Sequence, residues 1–346
     1  MQNENKKKSF KRVALISVCV VLSLILVVLI FAAVFMDRLL GSINRVPNGH
    51  ETLSSSELEE LMQPEQTRGE DFTGPMFNED EITMPSGDAE VIENENIVNI
   101  LLLGQDRRGG TRNSLTDVMM LCSINKETKT LTMTSFLRDL YLKIPGHRRN
   151  DKLNVAYPVG GFDMINATLE VNFGVKVDGN IEVDFSQFAE IIDLLGGVDI
   201  ELTGAEASHL NASGFWVKSG VNHLNGDEAL AYARIRAIDS DFQRTNRQRN
   251  VITAVVNQFR NASLGQLTDI LTAALGMVTT NMTDAEIMKY AVELAPLLAD
   301  LQVVSQHIPV EGTYYFGDVK DQNIVDCIFI RDFETNKKLL ADVLDG

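Results

Sequence analysis

Cysteine is scarce: three residues in a chain of 346, with no CxxC pair. That excludes a disulfide framework. Five scattered histidines show no zinc-ligand spacing, which removes a structural zinc site as well. Positive charge is also short, since 31 lysines and arginines face 48 acids and leave a net charge of −17. Nucleic-acid binding needs a basic face, so a general role of that kind is excluded. Neither a GxxxxGK phosphate loop nor a GxSxG nucleophile elbow occurs. No internal repeat of solenoid length is visible. The composition is otherwise that of a globular protein, 45% hydrophobic and 23% charged.

The average conceals three regions. Val13 to Met36 is a run of 24 residues without a charge. As a helix it would be roughly 36 Å long, enough for a hydrocarbon core of about 30 Å. Lys6, Lys7, Lys8, Lys11 and Arg12 precede it, opposed only by Glu4. The positive-inside rule then keeps residues 1–12 in the cytoplasm and sends the remainder across. A cleaved signal peptide would have a shorter apolar stretch closed by an A-x-A site, and none closes this one. The expected form is therefore an uncleaved single-pass anchor. Cys19 lies inside the apolar run, the wrong place for a lipid-bearing cysteine. Residues 37–95 read as an extracellular acidic spacer without stable structure. Between residues 51 and 95 there are fourteen acids and one base, with Pro64, Pro75 and Pro85 interrupting any regular element. Such a segment buries too little surface to offset its ordering entropy. One short helix over Ser54–Met62 is the exception expected there.

Residues 96–346 carry only −9 of the charge and read as one α/β domain. "NIVNILLLG" (Asn96–Gly104), "DVMMLCSIN" (Asp117–Asn125) and "TLTMTSFL" (Thr130–Leu137) are apolar runs suited to buried strands. Phe185, Phe188, Ile191, Ile192 and Leu195 share one helix face, which Gly196-Gly197 ends. "VDIELT" follows as a strand, and Asn225 caps a helix beginning "GDEALAYAR". Val251, Ile252, Val255, Val256 and Phe259 mark a further amphipathic helix. Three strand-like runs and a closing helix, Phe333–Leu344, complete a layered α/β pattern.

Two features carry chemistry. "GQDRRGGTRNSLTDVMM" (Gly104–Met120) joins two buried strands, with Asp106 just past the first and Asp117 opening the second. Open α/β sheets place their sites at strand ends, and two carboxylates could converge there on a hard cation. Spacing alone favours an ordinary solvated turn. The arginines say more. Arg234, Arg236, Arg244, Arg247 and Arg249 fall within sixteen residues of an acidic protein. A guanidinium fork matches phosphate oxygens two at a time. The competing reading is a surface helix salt-bridged to Asp239 and Asp241. Arg138-Asp139 and Lys152 stand in polar breaks where they could extend the same positive site. Ser135 and Ser114 have no recognisable histidine partner. Cys122 and Cys327 lie in apolar runs and read as buried structural thiols.

The motifs "GQDRR…TDVMML", "SFLRDLYLKIPG", "DKLNVAY", "LLGGVDIEL", "LNGDEALAYARIR" and "DFQRTNRQR" resemble, in this order, the LytR-CpsA-Psr family. The likeness runs from about Asn96 to the C-terminus, and the membrane-anchored layout suits it. The resemblance implies a three-layer α/β/α sandwich around a central mixed sheet, with an apolar groove for a polyprenyl chain. It implies an ATP-independent phosphotransferase outside the membrane of a bacterium of Gram-positive type. The donor would be an anionic glycopolymer on undecaprenyl pyrophosphate. The acceptor would be the 6-hydroxyl of N-acetylmuramic acid in peptidoglycan. By the same resemblance Asp106 and Asp117 hold magnesium, for which manganese can stand in. Arg138, Lys152, Arg234, Arg236, Arg244 and Gln248 bind the pyrophosphate, with Arg108 and Arg112 as further candidates. Asp241 accepts the acceptor's proton, and Arg138, Arg234 and Arg236 share the catalytic set. One departure stands out: Leu115 occupies a position where members commonly have arginine, and Arg112 lies three residues before it. A polyprenyl-pyrophosphate hydrolase and a non-enzymatic wall-binding or regulatory protein remain open as alternatives. The sequence sets neither the glycopolymer nor the oligomeric state.

Overall fold

The computed structural model describes residues 40–46, 75–85, 87–106, 115–261, 270 and 273–345. The chain divides into two units, Met1–Ile43 and Asn44–Gly346. The expected membrane helix, the Ser54–Met62 helix and Cys19 lie outside the described residues. Among those described, no helix is long and apolar enough to cross a membrane.

The strands of the second unit are β1 (Asn44–Arg45), β2 (Met76–Phe77), β3 (Ile97–Gln105), β4 (Thr116–Asn125), β5 (Thr130–Phe136), β6 (Tyr141–Leu142), β7 (Asp151–Lys152), β8 (Gly179–Asp184), β9 (Val198–Leu202), β10 (Gly220–Leu224), β11 (Val278–Thr280), β12 (Gln302–Ile308), β13 (Tyr314–Val319) and β14 (Ile324–Ile330). The helices among the described residues include α1 (Ala156–Phe173), α2 (Phe185–Leu194), α3 (Gly204–Ala212), α4 (Gly226–Ala233), α5 (Asp241–Asn261), α6 (Asp284–Leu294) and α7 (Phe333–Leu344). A seven-stranded sheet runs in the order β1-β11-β8-β3-β4-β5-β12. It is mixed: β3 pairs antiparallel with β4 and parallel with β8, and β12 lies parallel to β5. The expectation of a mixed α/β fold with a central mixed sheet holds.

Strand alternation sorts the apolar side chains. Leu101, Leu103, Met119 and Leu121 join α1 residues Ile165 and Leu169 and α7 residues Phe333 and Leu340 on one face. Met120, Cys122 and Met133 turn the other way, towards Ile252 and Val256 of α5. Val98 and Ile100 meet Ile287, Tyr290 and Leu294 of α6. A helix capping box starts α4: Glu228 N–H donates to Asn225 Oδ1 at 2.9 Å, and Asn225 N–H donates to Glu228 Oε2 at 3.0 Å. Gly196 and Gly197, with φ of 85° and 97°, end α2 in the left-handed region that a side chain would strain. The antiparallel β9–β10 pair, α2, α3, α4 and part of α5 share a separate core around Ile192, Ile200, Leu210 and Tyr232.

The spacer boundary needs correction. Residues 75–85 and 87–95 belong to the folded domain. Met76 and Phe77 pair parallel with Asp318 and Val319 of β13, and Ile82 is buried with Tyr141 and Phe329. Ile92 bridges Val175, and Asn44–Arg45 pair with β11. The few apolar residues in this acidic stretch suffice because the domain supplies the other half of each contact. Isolated hydrophobes look unburiable only when the segment is considered alone.

Candidate active site

One end of the central sheet gathers the candidate residues. The β3–β4 ladder closes with Gln105 opposite Thr116, so Asp106 and Asp117 leave adjacent strands at the same end. Arg138 follows β5. Lys152 is held near it by the β6–β7 pairing of Tyr141 with Lys152. Arg234 caps α4, and the buried Ile235 pins the chain between Arg234 and Arg236. Asp241 opens α5, and spacings of three and four put Arg244 and Gln248 on its face.

These side chains meet. Arg234 Nη2 donates to Asp106 Oδ2 at 2.8 Å, with its guanidinium 5.2 Å from the centre of the Phe185 ring. Arg236 Nη2 donates to Asp117 Oδ1 at 3.1 Å, and Arg138 Nη1 bonds the same oxygen. Arg138 Nε reaches Asp139 Oδ2 at 3.3 Å, while Lys152 Nζ donates to Asp139 Oδ1 at 2.9 Å. Arg244 Nη2 donates to Asp241 Oδ2 at 2.9 Å. The site thus has Arg138, Lys152, Arg234, Arg236 and Arg244 on one side of the balance. Asp106, Asp117, Asp139 and Asp241 stand on the other.

Burial tunes the charges. Arg244 is 2% exposed, and its Nε has no hydrogen-bond partner among the described residues. Desolvation depresses this guanidinium to about 10, against the pull of Asp241. A buried unpaired donor on a cation is costly, so the position calls for an anion. Arg138 is also desolvated, but Asp139, Asp117 and Asp241 more than compensate and hold it above its ordinary value. Asp241 is pushed above the ordinary carboxylate range, by burial first and by Asp139 next, with Arg244 opposing. Burial would raise Asp139 too, but Lys152 and Arg138 pull it below that range.

The remaining candidates sort clearly. Arg247 is structural: it donates to Glu206 Oε1 at 2.7 Å and to the Ile235 carbonyl at 3.1 Å, and also pairs with Asp239. It fixes the segment that presents Arg234 and Arg236. The salt bridges to Asp239 and Asp241 therefore exist, but on a buried face rather than a surface one. Arg249 is buried without a carboxylate partner among the described residues, touching Thr245 and Asn246 at 3.4 Å. Gln248 is buried on α5. Leu115 packs against the main apolar core, so the usual arginine position is given to packing. Arg108, Arg112 and Ser114 lie outside the described residues. Ser135 is buried, and Cys122 and Cys327 are free buried thiols raised to about 12 by desolvation. Sequence reasoning gave Asp139 no role, although it bridges Arg138 and Lys152. Its place beside Arg138 was the available signal. Phe185 was read only as a core residue.

No group of three or more acidic, histidine or cysteine side chains forms a metal cage among the described residues. Asp106 and Asp117 are two hard-oxygen donors at one sheet end. That donor set fits a cation held by one or two carboxylates together with substrate phosphates.

A mixed α/β domain with an arginine–carboxylate cluster at its sheet end has the donor set that suits anionic groups. The LytR_cpsA_psr family model matches residues 60–327, and the chain belongs to that family. It is 34% identical, over 66% of its own length and 77% of the relative's, to the polyisoprenyl-teichoic acid–peptidoglycan teichoic acid transferase TagU of Bacillus mycoides. It is 37% identical to the protein of the same name from Bacillus licheniformis, over 56% of this chain and 62% of that one. Among solved structures, TagT bound to LIIa-WTA superposes with a TM-score of 0.58 at 26% identity, covering 76% of this chain and 98% of that one.

Proposed function

We propose that this protein moves an anionic glycopolymer from an undecaprenyl-pyrophosphate carrier to the 6-hydroxyl of N-acetylmuramic acid in peptidoglycan, as a membrane-anchored enzyme with its catalytic domain outside. The observation that carries this reading is the convergence of five cationic side chains, one a buried arginine with an unpaired donor, on carboxylates at the sheet end. The relatives' names give the substrate class.

Phosphoryl transfer depends on positioning and charge neutralisation more than on covalent help. Arg138, Arg236 and Arg244 surround Asp117 and Asp241 and would hold the pyrophosphate oxygens. Arg234, steadied over Phe185, would add a contact beside Asp106. Asp106 and Asp117 would hold a magnesium ion, which supplies Lewis-acid neutralisation of phosphate charge when bound. Asp241 would take the proton from the sugar hydroxyl as its oxygen bonds to the transferred phosphorus. The bond from that phosphorus to the bridging oxygen breaks, and the lipid phosphate leaves. Asp139 keeps Arg138 and Lys152 in register. The energy of the pyrophosphate bond makes ATP unnecessary.

The test is turnover of a labelled lipid-pyrophosphate glycopolymer with and without peptidoglycan. Polymer should become covalently attached to peptidoglycan, and EDTA or Asp117→Asn should suppress attachment. Arg234→Ala should lower turnover by at least about tenfold, since one charge-assisted contact is worth roughly 1.5–3 kcal/mol. Lipid phosphate released at the same rate without an acceptor would mean a hydrolase. Binding without release would mean a non-enzymatic protein.

A further inference from the structure

A groove of about 610 Å³ opens between the β9–β10 pair and the C-terminal half of α5, away from the arginine site. Asp199, Glu201, Ser219, Asn250, Thr253 and Asn257 line it, and no lysine or arginine does. Asp241 and Thr253 are twelve residues apart on α5, about 18 Å along the axis. The helical turn also points Asn250, Thr253 and Asn257 to a different side from Asp241 and Arg244.

Three of the groove's side chains donate to the protein. Thr253 Oγ1 donates to the Arg249 carbonyl at 2.8 Å. Ser219 Oγ donates to the Leu202 carbonyl at 3.5 Å, and Asn250 Nδ2 to the Tyr232 hydroxyl at 3.1 Å. Their hydroxyl and amide oxygens remain as acceptors, to which Glu201 and Asp199, the latter already 2.7 Å from His223 Nδ1, add carboxylate oxygens. An acceptor-rich, negatively charged lining rejects phosphates and favours an uncharged ligand rich in O–H and N–H donors. Trp216, the chain's one tryptophan, is 96% exposed. It is three residues from Ser219, so their Cα atoms are at most roughly 11 Å apart. An exposed indole offers a flat apolar face with a polar edge, suited to stacking on a sugar ring.

We infer that this groove and Trp216 form a docking site for an uncharged, N-acetylated glycan chain, separate from the site of phosphate chemistry. The identity of that glycan as a remote stretch of the acceptor strand rests on the proposed transferase reading. A polymer longer than the active site gains affinity from a second contact without altering the chemistry at the first.

Trp216 supplies the readout. The full chain in detergent micelles is titrated with uncharged chito-oligosaccharides, following tryptophan emission. A saturable emission change is expected. Thr253→Arg and Ser219→Arg, which put a long cation into the groove, should each weaken binding at least about tenfold, or about 1.4 kcal/mol. By calorimetry Trp216→Ala should weaken it similarly. Affinity for the lipid-pyrophosphate donor should stay unchanged in all three variants, which also shows that they fold. No saturable change, or unchanged affinity in both arginine variants, overturns the inference. So does preferential binding of an oligolysine peptide, which would make this a cationic-peptide groove. Absent attachment of polymer to peptidoglycan by the unmodified protein would refute the transferase reading and leave glycan binding standing.

Discussion

Asp241 and Asp139 show how neighbours divide two similar carboxyls. Asp241 is raised above the ordinary 3.8 by burial, with Asp139 adding to the effect. A base must be ionised to accept a proton, so the rate should rise with pH through this group's pKa and level off above it. The acidic limb of the pH–rate profile should therefore fall above the position of an ordinary aspartate. Asp241→Asn should abolish that limb and cut saturated turnover by about 10²–10⁴-fold, leaving donor binding intact. If Asp241 only positions Arg244, the variant should bind donor more weakly with saturated turnover nearly normal. Asp139 behaves oppositely, because Lys152 and Arg138 overcome its burial and lower its pKa from 3.8. A lowered acid contributes stability in full above its unfolded pKa and loses it as pH falls through the folded value. Melting temperature should thus drop on acidification below about pH 4, and Asp139→Asn should flatten that drop.

Secondary elements explain what was legible in the sequence. β3, β4 and β5 were readable because they are apolar on both faces, as buried central strands must be. α2 and α4 were readable through periodicity, glycines and an asparagine cap. α1 was not, because Pro158 and the Gly160–Gly161 pair look like breakers. The helix kinks there, with Gly161 at φ 63°, and continues to Phe173. β1 and β2 were illegible because two-residue strands in acidic surroundings acquire their apolar partners only from distant sequence. In the site, arginine spacing revealed the cation cluster. No spacing showed that Arg247 would turn inward to Glu206, or that Asp117 would be shared by Arg138 and Arg236. The strap over residues 75–85 can be tested directly. Phe77 sits edge-on to Tyr315 and Phe329, with ring centres 5.3 and 5.7 Å away. Phe77→Ala should cost on the order of 2 kcal/mol of stability, seen as a lower denaturant midpoint, without changing donor affinity.

For the whole molecule, we propose from the charged N-terminus and the uncharged Val13–Met36 run that residues 37–346 lie outside. Protease added to intact protoplasts should remove the large domain and leave a short membrane-protected fragment. A protected domain would refute the orientation and the proposed wall chemistry with it. The two short N-terminal pairings also have a mechanical meaning. β1 joins β11 through two residue pairs, and β2 joins β13 through two more. Any pull arriving from the N-terminal side loads these ladders in series before it reaches β3, the strand that leads to Asp106. They would act as successive fuses: tension between a fixed tether and a substrate strand is spent on peeling the latches while the strands that bear the reactive groups stay in register.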